Sequence, residues 1–398
     1  MAAHPSSKDN SANSLRKIWF DPNVRALVFQ IIVVIGVIGF FYYIISNALF
    51  NLEQRGITTG FGFMNQTAGF GIIQSLVEYD ESHTFGRTFV VGLLNTILIS
   101  ALGIIFATIL GFIMGVARLS NNWLISRVAT VYIETMRNIP LLLQIFFWYF
   151  AVLRALPSPR QSAHIGEAVF LNVRGLYMPS PVMEAGSNIV VFAFIAAIIG
   201  SFIIAKWAKR RQMATGQPFP VFSVSAALII LLPLLTFFVM GKPISLDYPA
   251  LKGFNFQGGM VIIPELAALL VALTTYTAAF IAEIVRSGIL AVSKGQSEAA
   301  ESLGLTRTQA LKLVIIPQAM RVIIPPLTSQ YLNLTKNSSL ATAIGYPDLV
   351  SVFMGTTLNQ TGQAIEVIAL TMAVYLTISI TTSILMNIYN KKMALVER

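Results

Sequence analysis

Apolar residues gather in eight long stretches, at approximately 27–49, 88–116, 130–153, 187–205, 222–241, 263–285, 326–352 and 364–389, separated by polar and charged connections. Each stretch is close to the roughly 20 residues a helix needs to cross the hydrocarbon core of a bilayer. The pattern predicts an all-α polytopic membrane protein with about eight transmembrane helices. The third and seventh stretches are the least clean, because Glu134, Arg137 and Lys336 interrupt them. The first 26 residues are polar, and the first apolar run is too long for a signal peptide and lacks a small-residue cleavage site after it, so that run is expected to stay as a membrane helix.

Lys and Arg prefer the cytoplasmic side of a membrane, so their distribution orients the chain. With the N-terminus inside, the cytoplasmic connections hold 18 of these residues and the external ones 7. Losing one span would reverse every later connection and scramble the bias. The count therefore predicts N-in, C-in and an even number of spans.

Composition removes several alternatives. The chain has 398 residues, 55% of them hydrophobic and only 11% charged, with a mean hydropathy of +0.72, which is far from a water-solvated domain. The net charge of +10 is spread between apolar runs and not clustered on a soluble face, so topology explains it better than a nucleic-acid partner does. There is no Cys, and His4, His83 and His164 are scattered, so thiolate chemistry is excluded and neither a metal site nor a cofactor is expected. No Ser/His pair or paired Asp in facing spans suggests catalysis.

The most informative connection reads Ser293-Lys-Gly-Gln-Ser-Glu-Ala-Ala-Glu-Ser-Leu-Gly-Leu-Thr-Arg-Thr-Gln309 and lies on the cytoplasmic side. Ser293 with Gln296 forms a capping-box pattern, and Gly304 suits the left-handed residue that ends a helix. Thr306 with Gln309 starts a second helix, which runs through Leu311, Leu313, Val314 and Ile316 and should break near Pro317. The expected product is a short projecting helix with Ala299 and Ala300 exposed, small enough to enter another protein's groove.

Glu298-Ala299-Ala300, Gly304 and Ile316-Pro317 together resemble the EAA loop of binding-protein-dependent ABC importers. The resemblance implies that Glu298, Ala299, Ala300, Gly304 and Pro317 belong to a coupling helix docking on an ATPase. Three further runs, 88–96, 132–144 and 276–288, resemble histidine-permease-type polar amino-acid importers. That likeness covers roughly 84–153 and 262–395, and the layout with an extra N-terminal span and an insertion resembles general L-amino-acid ABC importer permeases. It implies a type I ABC importer permease architecture in the bacterial inner membrane, divided into 1–83 (N-terminus, extra span and external loop), 84–153 (first part of the core), 154–262 (insertion with two extra spans) and 263–398 (second part of the core, with the coupling loop 293–317). It also implies a pair of cytoplasmic ABC ATPase subunits, a second homologous permease, a periplasmic amino-acid-binding protein and an amino-acid substrate. No Gly-x-x-x-x-Gly-Lys-Ser/Thr run is present, so ATP hydrolysis must come from another subunit.

Charges within spans are expensive and face a cavity or a partner. Glu134 with Arg137 and Glu283 with Arg286 are spaced three apart and are expected to pair locally. Lys336-Asn337-Ser338 places an ammonium and two small polar groups inside a span, making these three residues candidates for the translocation path; snorkelling of Lys336 or pairing with a carboxylate is the plainer alternative. Gly103, Ala107, Gly111 and Gly115 form a smooth stripe for close helix contact, within the subunit or against a partner. The Gly- and Phe-rich loop 50–87 reads most plainly as an ordered external loop, with packing over the membrane surface the other reading, and Lys206, Lys209, Arg210 and Arg211 read as a topogenic cluster. An ion-gradient-driven secondary transporter is the other transport reading, but the chain shows no internal repeat and a coupling loop would then be unexplained.

Overall fold

In the computed structural model, residues 21–393 other than 55, 57 and 58 are described, so most of the N-terminal cytoplasmic segment and the end of the C-terminal one lie outside the described residues. The fold is mostly helical, and seven helices are long and apolar enough to cross a membrane, or eight crossings if one bent pair counts as a span.

The first helix, α1 (Pro22–Gln54), is apolar on all sides and exposed along its length, with Val34 and Ile38 more than half accessible, as a helix surrounded by lipid would be. The core is built from α2 (Phe85–Arg118), α7 (Pro264–Leu290) and α10 (Ile316–Asn337). Helix α7 is central: Leu269, Ala272, Leu273, Ala278, Ala279, Ile281 and Ala282 are all fully buried.

Small residues set how closely these helices approach. A Cβ added to Gly111 would lie 2.5 Å from Ile281 Cγ2, one on Gly115 2.7 Å from the Ala282 carbonyl oxygen, and one on Gly288 2.3 Å from Ile323 Cγ1. The Gly103 to Gly115 stripe is thus covered within the subunit, by Leu334 of α10 at Gly103 and by α7 further along. Without a hydrophobic effect between helices in lipid, such contact is what holds a bundle together.

The third crossing is broken. Helix α3 (Trp123–Asn138) ends at Ile139-Pro140, and α4 (Leu141–Phe146), continued by a π-helical turn Phe147–Val152, leaves at 106° to it. Extended backbone before Pro140 accounts for the break. Its exposed carbonyls are covered by Gln144, whose Nε2 donates to the Met136 and Ile139 oxygens at 2.9 and 3.0 Å.

The seventh crossing is shifted towards the cytoplasmic side, running from Arg307 to Ile344 where 326–352 was expected. The expected break near Pro317 does not occur. A π-helical turn at Leu311–Ile315 loosens the ladder just before Pro317, which then occupies the first turn of α10, where a missing N–H costs nothing. Beyond α10 the chain passes through a 3-10 stretch, Ser338–Ile344, and a π-helical one, Val350–Thr357, before α11 (Ala364–Met393). Helix α2 holds this irregular segment: Asn95 Nδ2 donates to the Pro347 carbonyl at 2.9 Å, and Leu349 N–H donates to Thr96 Oγ1 at 3.0 Å. Backbone that is neither helix nor barrel must find such partners inside a membrane.

On the outer side, the loop after α1 packs into the bundle. Phe63 is buried against Phe85 and Phe353, and the Gly60 N–H donates to Glu366 Oε1 at 2.6 Å. The segments flanking the α5–α6 hairpin (Ser187–Thr215 and Val221–Val239) form β-structure, which the apolar pattern did not reveal. Strands β1 (Ala163–Ile165), β2 (Val169–Asn172), β3 (Gly175–Met178) and β8 (Met260–Ile262) make one antiparallel sheet. Two smaller pairings, β4 (Ser180–Met183) with β5 (Ile244–Asp247) and β6 (Ala250–Lys252) with β7 (Asn255–Gln257), complete it. Each strand has only three or four residues, too few for a period-two pattern to stand out from its surroundings.

Candidate functional site

The cytoplasmic loop folds as a short helix, α8 (Lys294–Ser302), a tight turn, and α9 (Arg307–Ala310). Gly304 takes φ +75, and three hydrogen bonds close the end of α8: Leu303 N–H to Ala299 O at 3.1 Å, Gly304 N–H to Glu301 O at 2.9 Å and Leu305 N–H to Ala300 O at 3.1 Å. The left-handed residue satisfies carbonyls that the helix leaves open. Thr306 and Gln309 form the expected capping box. The box expected at Ser293 and Gln296 is absent: the Ser293 side chain caps nothing, and Gln296 Oε1 accepts from Gln318 Nε2 of α10 at 3.0 Å, tying α8 to the bundle.

Of the two Ala residues expected to be exposed, Ala299 is, as is Glu298 beside it, but Ala300 is buried at 2% exposure. Ala300 lies about 100° further round the helix from Ala299, which turns it onto the packed side. Leu303 is 81% exposed on the tip of the turn, a large apolar side chain presented to the cytoplasm. Gly304 sits beside it, with nothing within 4 Å of an added Cβ. Pro317 lies at the start of α10, behind this surface and not in it.

A charge cluster joins the end of α2 to α3 and to the last turns of α7, the helix that leads into the loop. Arg118 of α2 contacts Glu283 of α7 at 2.7 Å and Glu134 of α3 at 3.1 Å, and Arg286 contacts Glu283 at 2.5 Å. The expected Glu283–Arg286 pair forms. The expected Glu134–Arg137 pair does not, because Arg118 takes Glu134 and the Arg137 guanidinium lies over the Phe280 ring, 5.4 Å from its centroid. A long side chain from a neighbouring helix reached further than an intrahelical spacing argument allows.

Lys336, Asn337 and Ser338 do not share a surface. Lys336 opens with Ser339, Thr371, Tyr375 and Ser379 onto a cavity of about 560 Å³ beside α11. Asn337 faces a separate cavity of about 240 Å³ with Gln330 and Asn333 of α10 and Tyr276, Thr277 and Phe280 of α7. Ser338 is buried, its Oγ donating to Thr335 O at 2.7 Å. Gln330 and Asn333 lie outside the contiguous 336–338 run, yet 330, 333 and 337 follow the three-then-four spacing of one helix face, a signal the sequence carries.

Comparison with known proteins identifies the family. Residues 189–395 match the family of binding-protein-dependent transport system inner membrane components. Over 95% of its length, and 96% of the relative's, the chain is 58% identical to the putative amino-acid ABC transporter permease YhdX of Escherichia coli. It is 52% identical to the general L-amino acid transport system permease AapQ of Rhizobium johnstonii, covering 97% and 96% of the two chains. It is 42% identical to the glutamate/glutamine/aspartate/asparagine transport permease BztB of Rhodobacter capsulatus, covering 96% and 97%.

Proposed function

The chain belongs to the binding-protein-dependent transport system inner membrane components, as a multi-pass permease subunit of an amino-acid ABC importer, and from that premise we propose that its 293–317 loop is the point at which ATP hydrolysis on a separate subunit moves the helices. The observation that carries the reading is the exposed tip formed by Glu298, Ala299 and Leu303 next to left-handed Gly304. Leu303 is a large apolar side chain on an exposed turn beside the small Ala299, and open space surrounds Gly304, a shape that suits a knob entering a groove. Pro317 sets the direction of α10 behind the knob, and the Gln296–Gln318 contact passes its motion to that helix.

The subunit performs no covalent chemistry. It works with an ATPase and a binding protein, which we take to be a cytoplasmic pair and a periplasmic amino-acid-binding protein, alongside a second homologous permease. The translocation path is assigned to the α10 face of Gln330, Asn333 and Asn337 opposite α7, with Lys336 and buried Ser338 at its margins. The printed substrates of the relatives, general L-amino acids and the acidic amino acids with their amides, supply the substrate class.

The test is to tag this chain, extract it in mild detergent from its native host and identify by mass spectrometry what stays bound. A P-loop ATPase and a second permease are expected, and Gly304→Arg should release the ATPase. An Arg here meets no packed atom, and the cost of holding a side chain at φ +75 falls on the exposed turn that ends α8, so the bundle behind it should survive. Recovery of the ATPase with the variant at wild-type yield would remove the loop from the coupling role.

A further inference from the structure

The outer face carries a further cavity, apart from the coupling loop and the two cavities beside α10, with a largely apolar lining that a few charged and polar groups interrupt. It has a volume of about 370 Å³ and lies between the β-sheet of the insertion and the outer start of α7, lined among others by Tyr149, Arg154, Arg174, Tyr177, Asn255 and Glu265. That volume is within the range of small-molecule sites.

Its charged groups are held from different parts of the chain. Arg154 follows the broken third crossing, with its guanidinium 5.3 Å from the Tyr149 ring centroid and 5.9 Å from that of Phe150. Tyr149 Oη donates to Glu265 Oε1 at 2.8 Å, which fixes the carboxylate at the first turn of α7. Arg174 is presented by the β2–β3 turn. Buried Asn172 shapes that turn by accepting from the Arg174 N–H at 2.8 Å, and Gly175 follows at φ +133, where an added Cβ would be 2.4 Å from the Ile262 carbonyl oxygen. Among the described residues the Arg174 side chain has no hydrogen-bond or ion-pair partner.

Two guanidiniums and one carboxylate around a cavity of this size complement a ligand with two carboxylates and one ammonium. We propose that the cavity is an external binding site for an acidic L-amino acid, with Arg154 and Arg174 receiving its carboxylates and Glu265 its ammonium. Guanidinium–carboxylate pairs are the strong, directional part of such recognition. Tyr177, whose Oη donates to Asn255 Oδ1 at 3.1 Å, forms the wall opposite. The assignment rests on the amino-acid import reading, and it places the substrate at the outer end of the same helix whose inner end leads into α8.

The experiment uses the whole complex purified from its native membrane, in nanodiscs without binding protein or ATP, and measures equilibrium binding of radiolabelled L-glutamate. Arg174→Gln is expected to weaken binding at least tenfold. Glu265→Gln should weaken L-glutamate by a similar factor but leave glutarate, which lacks the ammonium, unchanged; Gln can still accept from Tyr149. Arg160→Gln, in the same external region with its guanidinium over Phe254, is the control and should leave binding unchanged. Co-purification of the ATPase reports that each variant is assembled. No glutamate binding by the wild type, or equal binding by wild type and Arg174→Gln, overturns the site. So does a loss confined to stimulation by the binding protein, which would make Arg174 a contact for an acidic side chain of that protein. ATP-driven amino-acid uptake by the wild-type complex with its binding protein is scored separately: uptake without this binding removes only the cavity, while absence of uptake removes the import reading itself.

Discussion

At the residue scale, single groups set the loop 293–309: left-handed Gly304 ends α8, and Gln318 of α10 holds Gln296. Gly304 was legible because one left-handed residue ends a helix whatever surrounds it. The Ser293–Gln296 box and the Glu134–Arg137 pair were not, because Gln318 and Arg118 compete for the same groups from helices distant in sequence. Lys336 and Asn337 are neighbours in sequence but open onto different cavities. Their substitutions should therefore be separable: Asn337→Leu is expected to raise the KM for uptake severalfold, whereas Lys336→Met should act on it independently, with the two effects adding in the double variant. Uptake kinetics of the two singles and the double check this, and strong non-additivity would mean that both side chains meet one substrate.

At the element scale, helix positions were readable from apolar length, while the breaks within them depend on tertiary partners. The bend at Pro140 is tolerated because Gln144 satisfies the Met136 and Ile139 carbonyls that the ladder gives up. Close helix contact is the clearest energetic commitment. Gly111→Val must displace Ile281 or separate α2 from α7 and is expected to destabilise the subunit by about 1–3 kcal/mol, the usual cost of overpacking. Thermal unfolding of the detergent-solubilised complex would detect it, and an unchanged midpoint would contradict the packing described for the stripe. Arg118→Met cuts one link to α3 and one to α7; as partly exposed ion pairs these are worth about 1 kcal/mol or less each. The variant should be nearly as stable as the wild type, so a loss of ATP-driven uptake at normal stability would show that the cluster transmits motion.

For the whole molecule, hydropathy and charge bias predict about eight crossings with both ends inside, and the described residues hold seven or eight apolar spans, as a bilayer that penalises exceptions requires. They give neither the external β-structure nor the irregular segment 338–361, whose short pieces are held by α2 and by one another. The central claim is that this bundle moves substrate only when closure of a separate ATPase is delivered through the loop 293–317. The most direct measurement is amino-acid uptake into proteoliposomes containing the purified complex and its binding protein, for the wild type and Gly304→Arg. Uptake by the wild type that requires ATP, falling at least tenfold in an intact Gly304→Arg bundle, is the predicted result. Uptake without ATP, driven by an ion gradient and indifferent to Gly304→Arg, would contradict it.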